Sequence, residues 1–183
     1  MKIQQGFSLF EMMLVMSIIA IFLAMAFPLL RYPWEQFNQT MLQTQLIQAI
    51  QIAKHEARIR HQAIALCKSN SLHQCAGEWI DGQLIFIDEY DDGSVHDQAQ
   101  ILKTIHMPAQ GGKLYWRSFP IYRDYLQFSA SGLAQNDNGT FWYCDAELTA
   151  IWALSLSKSG HTRVIYPDRD GVLRDGSGRV LAC

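Results

Sequence analysis

Glu11 is the residue of this sequence that most needs a chemical explanation. It stands immediately before Met12–Leu30 (MMLVMSIIAIFLAMAFPLL), a run with no charge and with Ser17 as its only hydrogen-bonding side chain. As a helix that run is ~28 Å long, close to the thickness of a bilayer core. A carboxylate carried into such a core costs ~2.5–3.5 kcal/mol. A secretory signal peptide would account for the apolar run, with Lys2 as its positive region and Ala24-Met25-Ala26 as its cleavage site. A plain signal anchor would account for it too. Neither gives Glu11 a role.

Other residues carry chemistry of different kinds. Four cysteines allow three pairings, and without a C-x-x-C motif neither a zinc ribbon nor thioredoxin-like redox chemistry has support. The stretch Glu78–Asp97 holds seven carboxylates and no Lys or Arg. Within it Asp88-Glu89-Tyr90-Asp91-Asp92-Gly93 has the outline of a calcium loop. Tyr90 stands where a third-position ligand is needed and Ala99 where a bidentate Glu would close the site, so the stretch reads as a solvated loop. Asp168-Arg169-Asp170-Gly171 reads as a turn. No G-x-S-x-G, P-loop or H-E-x-x-H occurs and the histidines are scattered, so no catalytic residue and no metal site is assigned.

These groups must be positioned by elements the pattern makes visible. The chain has 183 residues, 49% apolar and 17% charged, enough for one domain with an appendage and too apolar for a charged disordered tail. A net charge of −2 excludes a globally basic nucleic-acid binder and leaves a local basic patch open. After Arg31-Tyr32-Pro33, residues Trp34, Phe37, Met41, Leu42, Leu46, Ile50, Ala53 and Ala57 advance by three or four, as in an amphipathic helix ending near Arg60. Lys54, Arg58 and Arg60, with His55 and His61, lie at its C-terminal end, where cations are favourable, and are not read as a nucleic-acid site. Pro28 removes one backbone donor and is expected to bend the helix. Strand-like runs follow at 62–67, 83–88, 100–106, 113–119, 125–130, 140–145, 151–157 and 162–166, separated by Gly, Asn, Asp and Ser clusters. The expectation is an α+β chain: one long N-terminal helix carrying a head of mostly antiparallel sheet.

Two sets of residues then carry a family resemblance. Gln5-Gly6-Phe7-Ser8-Leu9-Phe10-Glu11 resembles the prepilin leader of type IV pilins and type II secretion pseudopilins. Cys67…Cys75, Gly77-Glu78-Trp79-Ile80-Asp81-Gly82 and the strand ending Phe86-Ile87-Asp88 resemble the H-type pseudopilin and FimT/FimU minor pilin family. So does Ser155-Leu156-Ser157-Lys158-Ser159-Gly160-His161-Thr162-Arg163, in which His161 replaces the first Arg of the family's Gly-Arg-x-Arg motif.

The resemblance implies a division of labour. Residues 1–6 are a leader cut by prepilin peptidase between Gly6 and Phe7, and Phe7 becomes N-methylated. Residues 7–30 form a transmembrane and filament-core helix, 31–61 an amphipathic helix packing on the head, and 62–183 a β-rich periplasmic head. Glu11, fifth in the mature chain, neutralises the N-terminal amine of a neighbouring subunit, and Pro28 matches a recurrent pilin feature. The implied protein is a non-enzymatic minor pilin or pseudopilin without cofactor. It is held in the inner membrane by a single pass, and its partners are other pilins, prepilin peptidase and the membrane. In a periplasmic head Cys67–Cys75 would close a short loop and Cys144–Cys183 would tie down a Gly-rich C-terminus, with the connectivity left open. An alternative is non-specific capture of double-stranded DNA through Lys158, Gly160, His161, Arg163, Arg169, Arg174 and Arg179. The neutral imidazole of His161 and the nearby Asp168, Asp170 and Asp175 count against it.

Overall fold

The structure, a computed structural model, describes residues 8–70, 73–107, 111–120, 122–135 and 138–183, and the side chains of these except 26–35. Gly6 and Phe7 lie outside the described residues, as does the side chain of Pro28. The chain divides into two compact units, residues 1–41 and 42–183.

One helix, α1 (Leu9–Arg60, 52 residues), supplies the described part of the first unit and opens the second. Its backbone is helical through position 28. Residues Leu9–Met25 are exposed on every side, with Leu9 at 79% and Phe22 at 69%. Among the described residues no helix is long and apolar enough to cross a membrane. The apolar run of the sequence continues to Leu30, into residues whose side chains are outside the described set.

In the second unit α1 changes character. Leu42, Leu46, Ala49, Ile50, Ala53 and Ala57 are fully buried, a stripe at three- and four-residue spacing. Two four-stranded antiparallel sheets complete the core. The strands are β1 (Ile64–Lys68), β2 (Gly82–Ile87), β3 (Ile101–His106), β4 (Lys113–Phe119), β5 (Tyr125–Phe128), β6 (Asn138–Cys144), β7 (Ala150–Leu156) and β8 (Thr162–Ile165). Sheet order is β3-β2-β1-β5 in the first and β4-β6-β7-β8 in the second. Every strand expected from the sequence is present, shifted by no more than about two residues at most ends.

Alternation decides the faces. Ile64, Leu66, Ile85, Leu126 and Phe128 from the first sheet join the α1 stripe, as do Trp116, Phe141, Leu154 and Val164 from the second. Trp79, from the loop before β2, fills the space between them, its ring 4.9 Å from Phe141 and 6.4 Å from Trp116, both edge-on. The outer face of the first sheet buries Ala65, Cys67, Leu84 and Phe86 under Val95 and Tyr125. The outer face of the second buries Ala153 under Leu173 and Leu181 of the C-terminal segment.

The head repeats one kind of corner. At Ser129–Leu133, Asp145–Thr149, Ser157–His161, Asp168–Val172 and Asp175–Arg179, the first residue's N–H donates to the fifth carbonyl at 2.8–3.1 Å. The fourth residue's N–H donates back to the first carbonyl at 2.7–3.1 Å. The fourth position always has positive φ, between 60° and 86°, and is glycine in all but Leu148. This is the three-residue hairpin loop with a left-handed closing residue. In the three Asp turns the first side chain also accepts backbone N–H bonds, at 2.8–3.0 Å for Asp145.

Candidate functional site

Glu11 lies in the first turn of α1 and is exposed; among the described residues its carboxylate has no partner. Its surroundings on the helix are Leu9, Phe10, Met12, Leu14 and Val15, all exposed. A charge at the positive end of a helix is locally favourable, but that dipole does not require the apolar setting. The arrangement presents a lone anion on an apolar rod.

The cysteines pair as Cys67–Cys75 and Cys144–Cys183, leaving none free. The first bridge closes the loop between β1 and the Trp79 segment. The second fixes the chain end onto β6, where the Trp142 indole N–H also donates to the Ala182 carbonyl at 3.0 Å. The C-terminal segment is therefore a cover over the second sheet, held further by Arg117, which donates to Asp175 at 2.9 Å.

The seven residues suggested for phosphate contact are spread over the β7–β8 turn, β8 and the C-terminal segment. Lys158, Gly160 and His161 form the β7–β8 turn, which packs on Lys54 of α1. The Lys54 ammonium donates to the Ser159 carbonyl at 2.8 Å, and a Cβ at Gly160 would lie 2.8 Å from Lys54 Cδ. Arg58, one helical turn on, packs likewise against Gly132 of the Ser129–Leu133 turn. Arg163 is exposed on β8, and Arg169 is exposed in the Asp168–Val172 turn. Arg174 is engaged, its Nε donating to Asp168 at 3.3 Å, and Arg179 Nε lies 3.6 Å from Asp175. The backbone bond from Val172, with help from Arg174, holds the Asp168 carboxyl below the usual carboxylate range. Burial pushes Asp175 upward, but bonds from Ser177 and Arg179 outweigh it and leave that group lowered as well. Two of the four arginines thus already have carboxylate partners.

The acidic stretch acquires a definite role. Asp88, 2% exposed, accepts the N–H groups of Asp92 (3.2 Å) and Gly93 (3.0 Å) and the Gln127 amide of β5 (2.9 Å). Burial pushes its carboxyl up, and the backbone bonds only partly offset that. Asp88 is the pin that folds the 88–97 loop over the outer face of the first sheet, where Val95 packs. Its oxygens are committed to these bonds. Among the described residues no His, Cys, Asp and Glu group is arranged to hold a metal ion.

The family model described as type II transport protein GspH matches residues 43–160. The prokaryotic N-terminal methylation motif matches residues 1–27. A crystal structure of the type IV minor pilin FimU of Pseudomonas aeruginosa is similar at a TM-score of 0.52 and 18% identity, covering 79% of this chain and 97% of that one. The minor pseudopilin EpsH of the type 2 secretion system of Vibrio cholerae reaches 0.41 and 13%, covering 72% and 95%. FimU supports the fold: a long helix followed by two antiparallel sheets. No curated protein sequence matches the chain.

Proposed function

The chain belongs to the family of the type II transport protein GspH, a family of minor pilins and pseudopilins, and from that premise we propose how its N-terminal helix builds a filament. Prepilin peptidase cuts between Gly6 and Phe7 and the new N-terminus is methylated. Before assembly the apolar helix sits in the inner membrane with the head in the periplasm. On assembly it moves into the apolar core of a type IV pilus or a type II secretion pseudopilus.

The observation that carries this reading is the exposure of Leu9–Met25 around the whole helix. A helix apolar on every side is stable only in lipid or in contact with other helices. Glu11 supplies the register. In a low-dielectric core an isolated carboxylate is costly, and a neighbour's N-terminal ammonium satisfies it in one axial position only. Residues 42–183, with their own core and two disulfides, form the displayed part.

Mass spectrometry of the native N-terminus tests the processing step. The expected species begins with N-methylated Phe7. A mature chain beginning at Phe27, after Ala24-Met25-Ala26, would replace this reading with that of an exported protein without an anchor.

A further inference from the structure

The outer face of the second sheet carries a groove of about 450 Å³ that none of the roles above uses. Cross-strand register places Arg117, Thr140, Ser155 and Arg163 in one row on that face. The neighbouring row, Tyr115, Trp142, Ala153 and Ile165, meets the C-terminal cover through Leu173 and Leu181. The cover stops short of the polar row. Its Asp175–Arg179 turn forms the opposite wall, with Gly176 above Ser155 and a Cβ there 3.9 Å from Ser155 Oγ. Phe119, 60% exposed, closes one end.

The walls offer free hydrogen-bonding capacity. Thr140 and the half-buried Ser155 line the groove, and among the described residues neither hydroxyl has a protein partner. Both hydroxyls are open to the groove rather than sealed in the core, so a ligand hydroxyl can take the place of water there. Two guanidiniums flank this pair. Arg117 is fixed by its bond to Asp175 and by the Trp142 ring, 5.6 Å from its carbon, and Arg179 stands across the turn. Two cations against one carboxylate leave the groove one positive charge in excess.

We propose that this groove is a saccharide site that takes one carboxylated sugar residue of an acidic polysaccharide. The chemistry matches part by part. Vicinal sugar hydroxyls both donate and accept, which suits Thr140 and Ser155. The apolar face of a pyranose suits the Phe119 ring. A uronate carboxylate suits the outward N–H groups of Arg117 and Arg179. The volume is in the range of small-molecule sites.

The test uses the full-length chain in detergent micelles and three variants, titrated calorimetrically with trigalacturonate and, separately, with neutral galactotriose. Thr140→Val removes the hydroxyl at constant shape. Gly176→Leu fills the groove at a position without positive φ. Arg179→Gln removes one cation. Trigalacturonate is expected to bind with a Kd on the order of 1 mM. Thr140→Val and Gly176→Leu should each weaken it about tenfold, and Arg179→Gln should weaken it while leaving the weaker neutral ligand unchanged. Thr140→Val should unfold no earlier than the parent, which separates lost binding from lost folding. No heat of binding with either sugar, or binding that survives both Thr140→Val and Gly176→Leu, would overturn the site. Equal affinity for the neutral and acidic sugars would overturn its carboxylate specificity.

Discussion

Replacing Gly171 by Ala isolates the energetic rule that shapes the head's corners. Gly171 occupies the left-handed fourth position of the Asp168–Val172 turn at φ 74°, and an added Cβ there meets nothing within 4 Å. Steric overlap therefore contributes nothing, and two terms remain. Forcing a Cβ into the left-handed region costs ~1–2 kcal/mol. Ala restricts the unfolded chain more than Gly and returns ~0.4–1 kcal/mol. The net expectation is a loss of about 0.5–1 kcal/mol, or a Tm lower by ~1–4 °C for a chain of this size. Position 148 is the complementary case, because Leu148 holds the same place at φ 60°. There Leu148→Gly should be more stable than Leu148→Ala by about the same amount, reversing the order found at ordinary positions. Thermal unfolding of the oxidised chain, followed by circular dichroism, measures both. A neutral or stabilising Gly171→Ala, or a Leu148→Ala more stable than Leu148→Gly, would refute the claim that left-handed closure governs these turns.

Three further outcomes follow from the described geometry. Chain-entropy arithmetic gives ~4 kcal/mol for the Cys144–Cys183 bridge, whose sequence separation is 39, and ~2.5 kcal/mol for Cys67–Cys75, separated by 8. Denaturant midpoints of the paired Cys→Ser variants should fall in that order, and the reverse order would contradict it. Asp88→Ala strands two backbone N–H groups and one N–H of the Gln127 amide, whose other N–H still donates to Asp91, so it should cost about 3 kcal/mol, with amide exchange rising first in residues 88–97. Exchange confined to other segments would remove Asp88 as the pin of that loop. Asp175 is lowered in the folded state, so its stabilising contribution is present above the ordinary carboxylate value and is lost as pH falls from about 4 downward. Asp88 is raised, so its cost grows as pH rises from that same value through its folded pKa. In Tm-against-pH curves Asp175→Asn should flatten the acid limb, and an unchanged limb would dismiss the pairing.

What the sequence disclosed was whatever depends on neighbours along the chain. The eight strands are legible because runs of strand-forming residues stand between Gly, Asn, Asp and Ser clusters, although only β4 alternates cleanly in burial, and the helix because Leu42, Leu46, Ile50, Ala53 and Ala57 keep its period. Asp168-Arg169-Asp170-Gly171 was legible as a turn because its glycine sits at the left-handed position. Asp145–Thr149 has the same geometry without the same signal, since Leu148 stands where the glycine would be. Residues whose roles depend on distant partners were opaque. Asp88 looked like part of a solvated loop because the amide that buries it belongs to Gln127, 39 positions away. Lys54 looked like a helix-end cation, whereas it holds the Ser159 carbonyl, 105 positions away. The groove required register between three strands and the placement of the C-terminal cover. No local pattern announces that Arg117, Thr140 and Ser155 share a row.

The central claim is that the N-terminal helix assembles this chain into a filament with Glu11 as its registering charge. The most direct measurement is the share of the chain recovered in sheared filaments, for the parent and for Glu11→Ala, with the membrane fraction quantified in parallel. Glu11→Ala should leave the membrane fraction unchanged, because removing a carboxylate from an apolar segment does not hinder insertion, and should show a pronounced loss from the filament fraction. Filament incorporation of Glu11→Ala at the parent level would contradict the claim.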